Sequence, residues 1–153
     1  MDSYESLLIE AEKRDLIVKE LPLRGNDGRI KGKRIAINQT LTTPEKLCTL
    51  EEEIAHFDLN AGVILDQWQT SNRKQEHKAR MLAVTRRVGL WDIVGALRKG
   101  YHSLAEIAEY MGITEGFLAA AIDGYRKKYG LYVRVGNDTL LLEPTVALLS
   151  QIQ

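Results

Sequence analysis

The chain has 153 residues, 44% of them hydrophobic and 27% charged, and its 21 basic and 21 acidic side chains cancel. Such a composition fits one globular domain, or one with a small appendage, and excludes net charge as a pull towards nucleic acid or anionic membrane. The single cysteine, Cys48, excludes an internal disulfide; with no His or basic residue adjoining it, it reads as a small buried hydrophobe.

The N-terminal stretch is amphipathic and acidic, without the apolar region of a signal peptide, and no apolar run approaches about 18 residues. The expectation is a cytoplasmic protein with no membrane partner. Residues Ser3 to Arg14 place Leu7, Leu8 and Ala11 at helical spacing. Leu16 to Leu21 reads as a strand, Gly25-Asn26-Asp27-Gly28 as a turn, and Arg29–Lys31 and Arg34–Asn38 as two short strands about a corner at Gly32. Together they predict a small, mostly antiparallel sheet of three strands. Arg24, Arg29, Lys31, Lys33 and Arg34 form a basic cluster on this hairpin, read as a solvated edge.

Thr43-Pro44-Glu45 carries helix-start chemistry, with Thr43 as cap, and Leu47, Leu50, Ile54 and Phe57 give the apolar stripe that follows. This helix should stop before Asn60-Ala61-Gly62. A loop containing Trp68 then leads to Ser71-Asn72, a cap for a helix from Arg73 to about Val88. Trp91 to Lys99 predicts a short helix with Trp91 in its core. Ser103 caps Leu104–Met111, Gly112 turns the chain, and Thr114 caps Glu115–Tyr129. A β-hairpin follows over Leu131–Val135 and Thr139–Leu142, and Pro144 opens a last short helix.

The stretch Thr49-Leu50-Glu51-Glu52-Glu53-Ile54-Ala55-His56-Phe57 concentrates the chemistry. On a helix, Glu52 and His56 share one face, and Glu53 sits about 100° round from Glu52. That spacing resembles the H-E-x-x-H metal helix, with Glu52 at the first histidine position. Glu76 lies on a stripe with Ala79, Arg80 and Ala83, where two alanines would let another helix come unusually close. It is the candidate third ligand, since a catalytic metal needs three protein donors and one open position. Glu53 is then the general base. The same residues also make an ordinary acidic surface helix, with Glu76 paired to Arg80 at i+4. Spacing alone leaves both readings standing. His77, about 100° round from Glu76, is a lesser candidate for an imidazole ligand, and His102 reads as a loop residue.

The run Leu50-Glu51-Glu52-Glu53-Ile54-Ala55-His56-Phe57 with Asn72-Arg73-Lys74-Gln75-Glu76-His77-Lys78-Ala79-Arg80 resembles the ImmA/IrrE family of metallo-endopeptidases, in the branch carried by phages and integrative elements. The order of elements is similar too, as is the Tyr125-Arg126-Lys127-Lys128-Tyr129-Gly130 ending of the helical tail. The resemblance implies an α+β fold with a zincin-like core of N-terminal helix, small sheet and two ligand-bearing helices. Residues 1–88 would form that core, and 89–153 a helical C-terminal subdomain with its hairpin, packed on it. It also implies zinc held by Glu52, His56 and Glu76, with Glu53 as base, and an anti-repressor whose substrate or partner is a repressor protein of its mobile element. A carboxylate in place of the first imidazole makes the site harder and more open to Mn²⁺ or similar ions. It also lowers the acidity of metal-bound water.

Ser103 through Ala121 has helix-turn-helix spacing, with Ala108 at the crossing and Ile113 and Leu118 in the shared core. Its second helix opens on Thr114-Glu115-Gly116-Phe117, without the Arg, Asn or Gln that reads base edges. Packing or substrate docking is expected of it, and direct nucleic-acid binding is not. Tyr125 and Tyr129, one turn apart, are expected to pack.

Overall fold

The computed structural model describes residues 3–62 and 72–149. It is α+β, with six helices and two three-stranded sheets among the described residues, and it divides into two compact units, residues 1–83 and 84–153.

Unit 1 opens with α1 (Ser3–Lys13), which buries Tyr4, Leu7 and Ala11 along one face. Asp15 ends it in the left-handed region at φ 60°. The amide of Leu16 donates to the Ala11 carbonyl at 3.0 Å and that of Asp15 to Glu12 at 2.9 Å. This is a Schellman closure made by an aspartate, a short polar residue that tolerates the conformation, in the place glycine usually takes.

Three strands follow: β1 (Ile17–Leu21), β2 (Gly28–Lys31) and β3 (Arg34–Asn38). Their order is β1-β3-β2. β2 pairs antiparallel with β3 across Gly32-Lys33, whereas β1 lies parallel to β3, Val18 opposite Ile35. The sheet is therefore mixed, and the mostly antiparallel arrangement is met by one of its two pairings. The turn over residues 22–27 carries the chain past β3's place, leaving β3 in the centre. Strand alternation then turns Ile35 and Ile37 into the core and Arg34 and Ala36 to the other face.

Helix α2 (Thr43–Gly62) covers the core face with Leu47, Leu50, Ile54 and Ala55, all buried. Its cap is Thr42 and not Thr43. The Glu45 amide donates to Thr42 Oγ1 at 3.3 Å while the Thr42 amide donates to Glu45 Oε1 at 2.9 Å, a reciprocal capping box. The helix also continues through Asn60 to Gly62, past the expected stop, because Asn and Ala permit helix and only Gly62 strongly disfavours it. Arg14 clamps it to α1 through both oxygens of Asp58, at 2.9 and 3.1 Å. At the other end, Lys46 reaches Glu20 at 2.6 Å and Tyr4 donates to the same carboxylate at 3.1 Å. The lysine holds Glu20 below the usual carboxylate range, and burial against that anion raises the Tyr4 phenol. Helix α3 (Asn72–Arg87) runs past the boundary between the two units.

Unit 2 contains α4 (Leu90–Arg98), α5 (Leu104–Met111) and α6 (Glu115–Tyr129), then β4 (Tyr132–Val135), β5 (Asp138–Leu141) and β6 (Ala147–Leu148). Ser103 and Glu106 form a capping box on α5, and Thr114 accepts from the Phe117 amide at 3.1 Å. Gly112 takes φ 71°, which lets the Ile113 amide reach back to Ala108 at 3.0 Å. Tyr125 is buried and donates to the Val88 carbonyl at 2.7 Å, a packing role. Two expectations fail here. Among the described residues no helix follows Pro144: Ala147 and Leu148 pair antiparallel with β5, whose open edge offers them backbone hydrogen bonds. Trp91 is 64% exposed and not core. Ile93, Val94, Ala96 and Leu97 fill α4's buried face instead, and the indole lies over Gly136 in the β4–β5 turn, leaving no room there for a side chain.

Candidate metal centre

The sequence pattern of α2 sets the site. With Leu50, Ile54 and Ala55 buried, Glu52 and His56 fall one turn apart on the flank of the helix, partly exposed. Glu53 is also partly buried. A Cβ built on Gly28 would lie 2.5 Å from Thr49 Cγ2 and 3.5 Å from Glu53 Cγ, so α2 sits hard against the start of β2 at the one residue that offers no side chain. On α3, Ala79 and Ala83 are fully buried, and that fixes the rotation that presents Glu76 and Arg80.

Four of these groups meet in two pairs. His56 Nε2 lies 3.2 Å from Glu76 Oε2, and Arg80 Nη1 donates to Glu52 Oε1. Position 52 meets 80 and position 56 meets 76, so the two helices run antiparallel along this seam. The long side chains of Glu52, Arg80 and Glu76 reach across the seam. The i+4 pairing of Glu76 with Arg80 gives way to two pairings across the seam.

Burial raises the Glu52 carboxyl above its ordinary value, opposed by the Arg80 and His56 charges and reinforced by Glu76. Burial likewise raises Glu53, against the pull of His56 and with the push of Glu76 and Glu52. A carboxylate shifted upward in this way is a stronger proton acceptor near neutral pH than an exposed one.

How far this arrangement suits a metal can be read from distances. Two donors each about 2.0–2.1 Å from a tetrahedral ion stand roughly 3.3 Å apart. The His56–Glu76 separation of 3.2 Å matches that spacing as well as it matches a hydrogen bond. Glu52 differs, because its carboxylate is engaged by the Arg80 guanidinium. Among the described residues, no three His, Cys, Asp or Glu side chains converge as a cation site. Two of the expected donors are at ligand spacing and the third is neutralised by an internal cation.

Sequence reasoning underrated Arg80. Its place one turn beyond Glu76, on the face turned to α2, was the available signal. His77 and His102 are exposed, the latter in the coil before α5. Trp68 and Ser71 lie outside the described residues. The helix-turn-helix spacing corresponds to α5 and α6, with Ala108, Ile113 and Leu118 buried between them.

A mixed three-stranded sheet backed by a helix carrying Glu-Glu-x-x-His, with a second helix bringing a carboxylate to that histidine, defines a zincin-like class of α+β protein. The peptidase M78 model, described as the IrrE N-terminal-like domain, matches residues 7–123, so the chain belongs to that family. No curated protein matches the chain. No helix among the described residues is long and apolar enough to cross a membrane.

Proposed function

We propose that the protein is a metal-dependent endopeptidase acting as an anti-repressor, with a cytoplasmic repressor protein of a mobile element as its substrate. The observation that carries this reading is the pair His56 and Glu76, held at ligand spacing beside Glu53, a carboxylate whose proton affinity is raised by burial. His56 and Glu76 are the residues that would hold the ion, zinc first and manganese second, joined by Glu52 once it leaves Arg80. The bound ion supplies a Lewis acid for the scissile carbonyl and lowers the pKa of water. Glu53 accepts the proton of the attacking water on a carboxylate oxygen and returns it to the leaving amine. Glu53→Gln keeps the shape and removes the base. In a purified system with the repressor, Glu53→Gln should slow cleavage by about 100-fold or more; cleavage at an unchanged rate refutes proteolysis at this site.

One observation favours a second reading, a non-catalytic regulator that binds the repressor through the same fold. The Glu52–Arg80 pair already balances the first ligand's charge without any added ion. On that reading, repressor binding persists in Glu53→Gln and in His56→Ala, and the wild-type protein forms no cleavage product.

A further inference from the structure

We propose that the outer face of the sheet in unit 1 is a docking surface for an acidic polypeptide segment that carries an apolar side chain. This surface is separate from the metal-site residues and stands without the endopeptidase reading.

The face follows from strand alternation. With Ile35 and Ile37 buried, residues Ile17, Lys19 and Leu21 of β1, Arg34 and Ala36 of β3, and Arg29 and Lys31 of β2 share the opposite side. Register orders them into rows. Lys19, Ala36 and Arg29 form one, and Ile17, Arg34 and Lys31 the next. Ala36 is the short side chain between two long cations, so the face is hollowed there into a concavity of about 470 Å³. Its wall on β1 is aliphatic: Ile17 is 50% exposed and Leu21 42%.

The charge on this face is of one sign. Lys19, Arg29, Lys31 and Arg34 all line the concavity and no carboxylate does. None of the four has an ion-pair or hydrogen-bond partner among the described residues. Lys31 and Arg34 stand directly opposite one another across an antiparallel pairing, an arrangement that costs stability in an isolated sheet. A solvated face would be expected to interleave both signs and to keep aliphatic side chains out of the middle. Four unbalanced cations around an apolar hollow suit a ligand with carboxylates around an apolar group. A phosphate backbone would match the charge, but it has nothing to place against Ile17 and Leu21. The rim cations would steer the segment in and set its salt dependence, while the hollow provides burial.

The probe is a fluorescein-labelled peptide in which leucines alternate with glutamates. Controls are the same peptide with serine for leucine, the same with lysine for glutamate, duplex DNA, and phosphatidylserine vesicles. The expected result is saturable binding of the glutamate–leucine peptide alone, weakening as salt rises. The double reversal Lys19→Glu with Arg34→Glu should reduce its affinity by at least about tenfold. The reversal Arg29→Glu with Lys31→Glu, on the other edge, should do the same, and serves if the first variant fails to give the wild-type melting curve. Binding untouched by both reversals overturns the proposal. So does equal binding of the serine peptide, or tighter binding of DNA or vesicles than of the glutamate–leucine peptide.

Discussion

Two helix pairs, α2 with α3 and α5 with α6, are held by opposite means. Between α5 and α6 the turn is short, a glycine in the left-handed region redirects the chain, and Ala108, Ile113 and Leu118 bury apolar surface at the crossing. Between α2 and α3 the seam on show is two polar pairs, Glu52 with Arg80 and His56 with Glu76. The first pair is a packing unit. The second keeps charged, partly solvated groups within reach of one another, which is where ions and protons can be exchanged. Rigidity and chemistry are divided between them.

The comparison breaks most visibly at Leu118, which is fully buried. Leu118→Ala should cost about 2–5 kcal/mol in chemical denaturation, as expected for a core leucine that leaves a cavity. A loss within about 0.5 kcal/mol, the size expected of a surface site, would mean that α5 and α6 are not tied by their apolar crossing. The polar seam should respond in ligand affinity more than in folding. Removing the guanidinium in Arg80→Ala frees Glu52, so zinc affinity, read by equilibrium dialysis, should rise by about tenfold, the scale of one modest electrostatic interaction. Its loss from a partly exposed pair should barely move stability. An unchanged or lower zinc affinity would show that Glu52 and the guanidinium do not compete with the metal.

The smallest effect concerns Glu53 and pH. Its folded pKa is raised by burial, so the folded state binds its proton more tightly than the unfolded chain does. This cost to stability is absent below the unfolded carboxylate pKa, grows as pH rises from there to the folded value, and is complete above it. Glu53→Gln should therefore melt at a higher temperature than the wild type at pH 7, with the difference shrinking towards pH 4. A constant difference across that range would mean that burial does not perturb this group.

What could be read in advance was local. Ser103, Gly112 and Thr114 carry their structural meaning within three or four residues: α5 begins and ends, and α6 begins, where those residues say. The Glu-Glu-x-x-His spacing on α2 is local too. The mixed sheet was harder, because nothing in Leu16–Leu21 states whether β1 joins the hairpin parallel or antiparallel; that depends on the path of the turn across the sheet. Trp91 was misjudged because helical spacing gives a face but not what covers it. The Glu52–Arg80 pairing escaped for a related reason: Glu76 and Arg80 satisfy an i+4 pattern by themselves, and only the neighbouring helix decides whether they look inwards or across. The hollow at Ala36 likewise needs β1 and β2 on either side of β3 before a run of basic residues becomes a basin.

The alternation of sign along the α2–α3 seam has one more consequence. Slide α3 by a single turn in one direction and Glu76 would confront Glu52, anion against anion. Slide it the other way and Arg80 would come opposite His56, leaving Glu52 facing the apolar stretch beyond. Only the observed alignment gives every tooth a matching notch, so these four side chains act as a key that sets how far one cylinder can travel along the other.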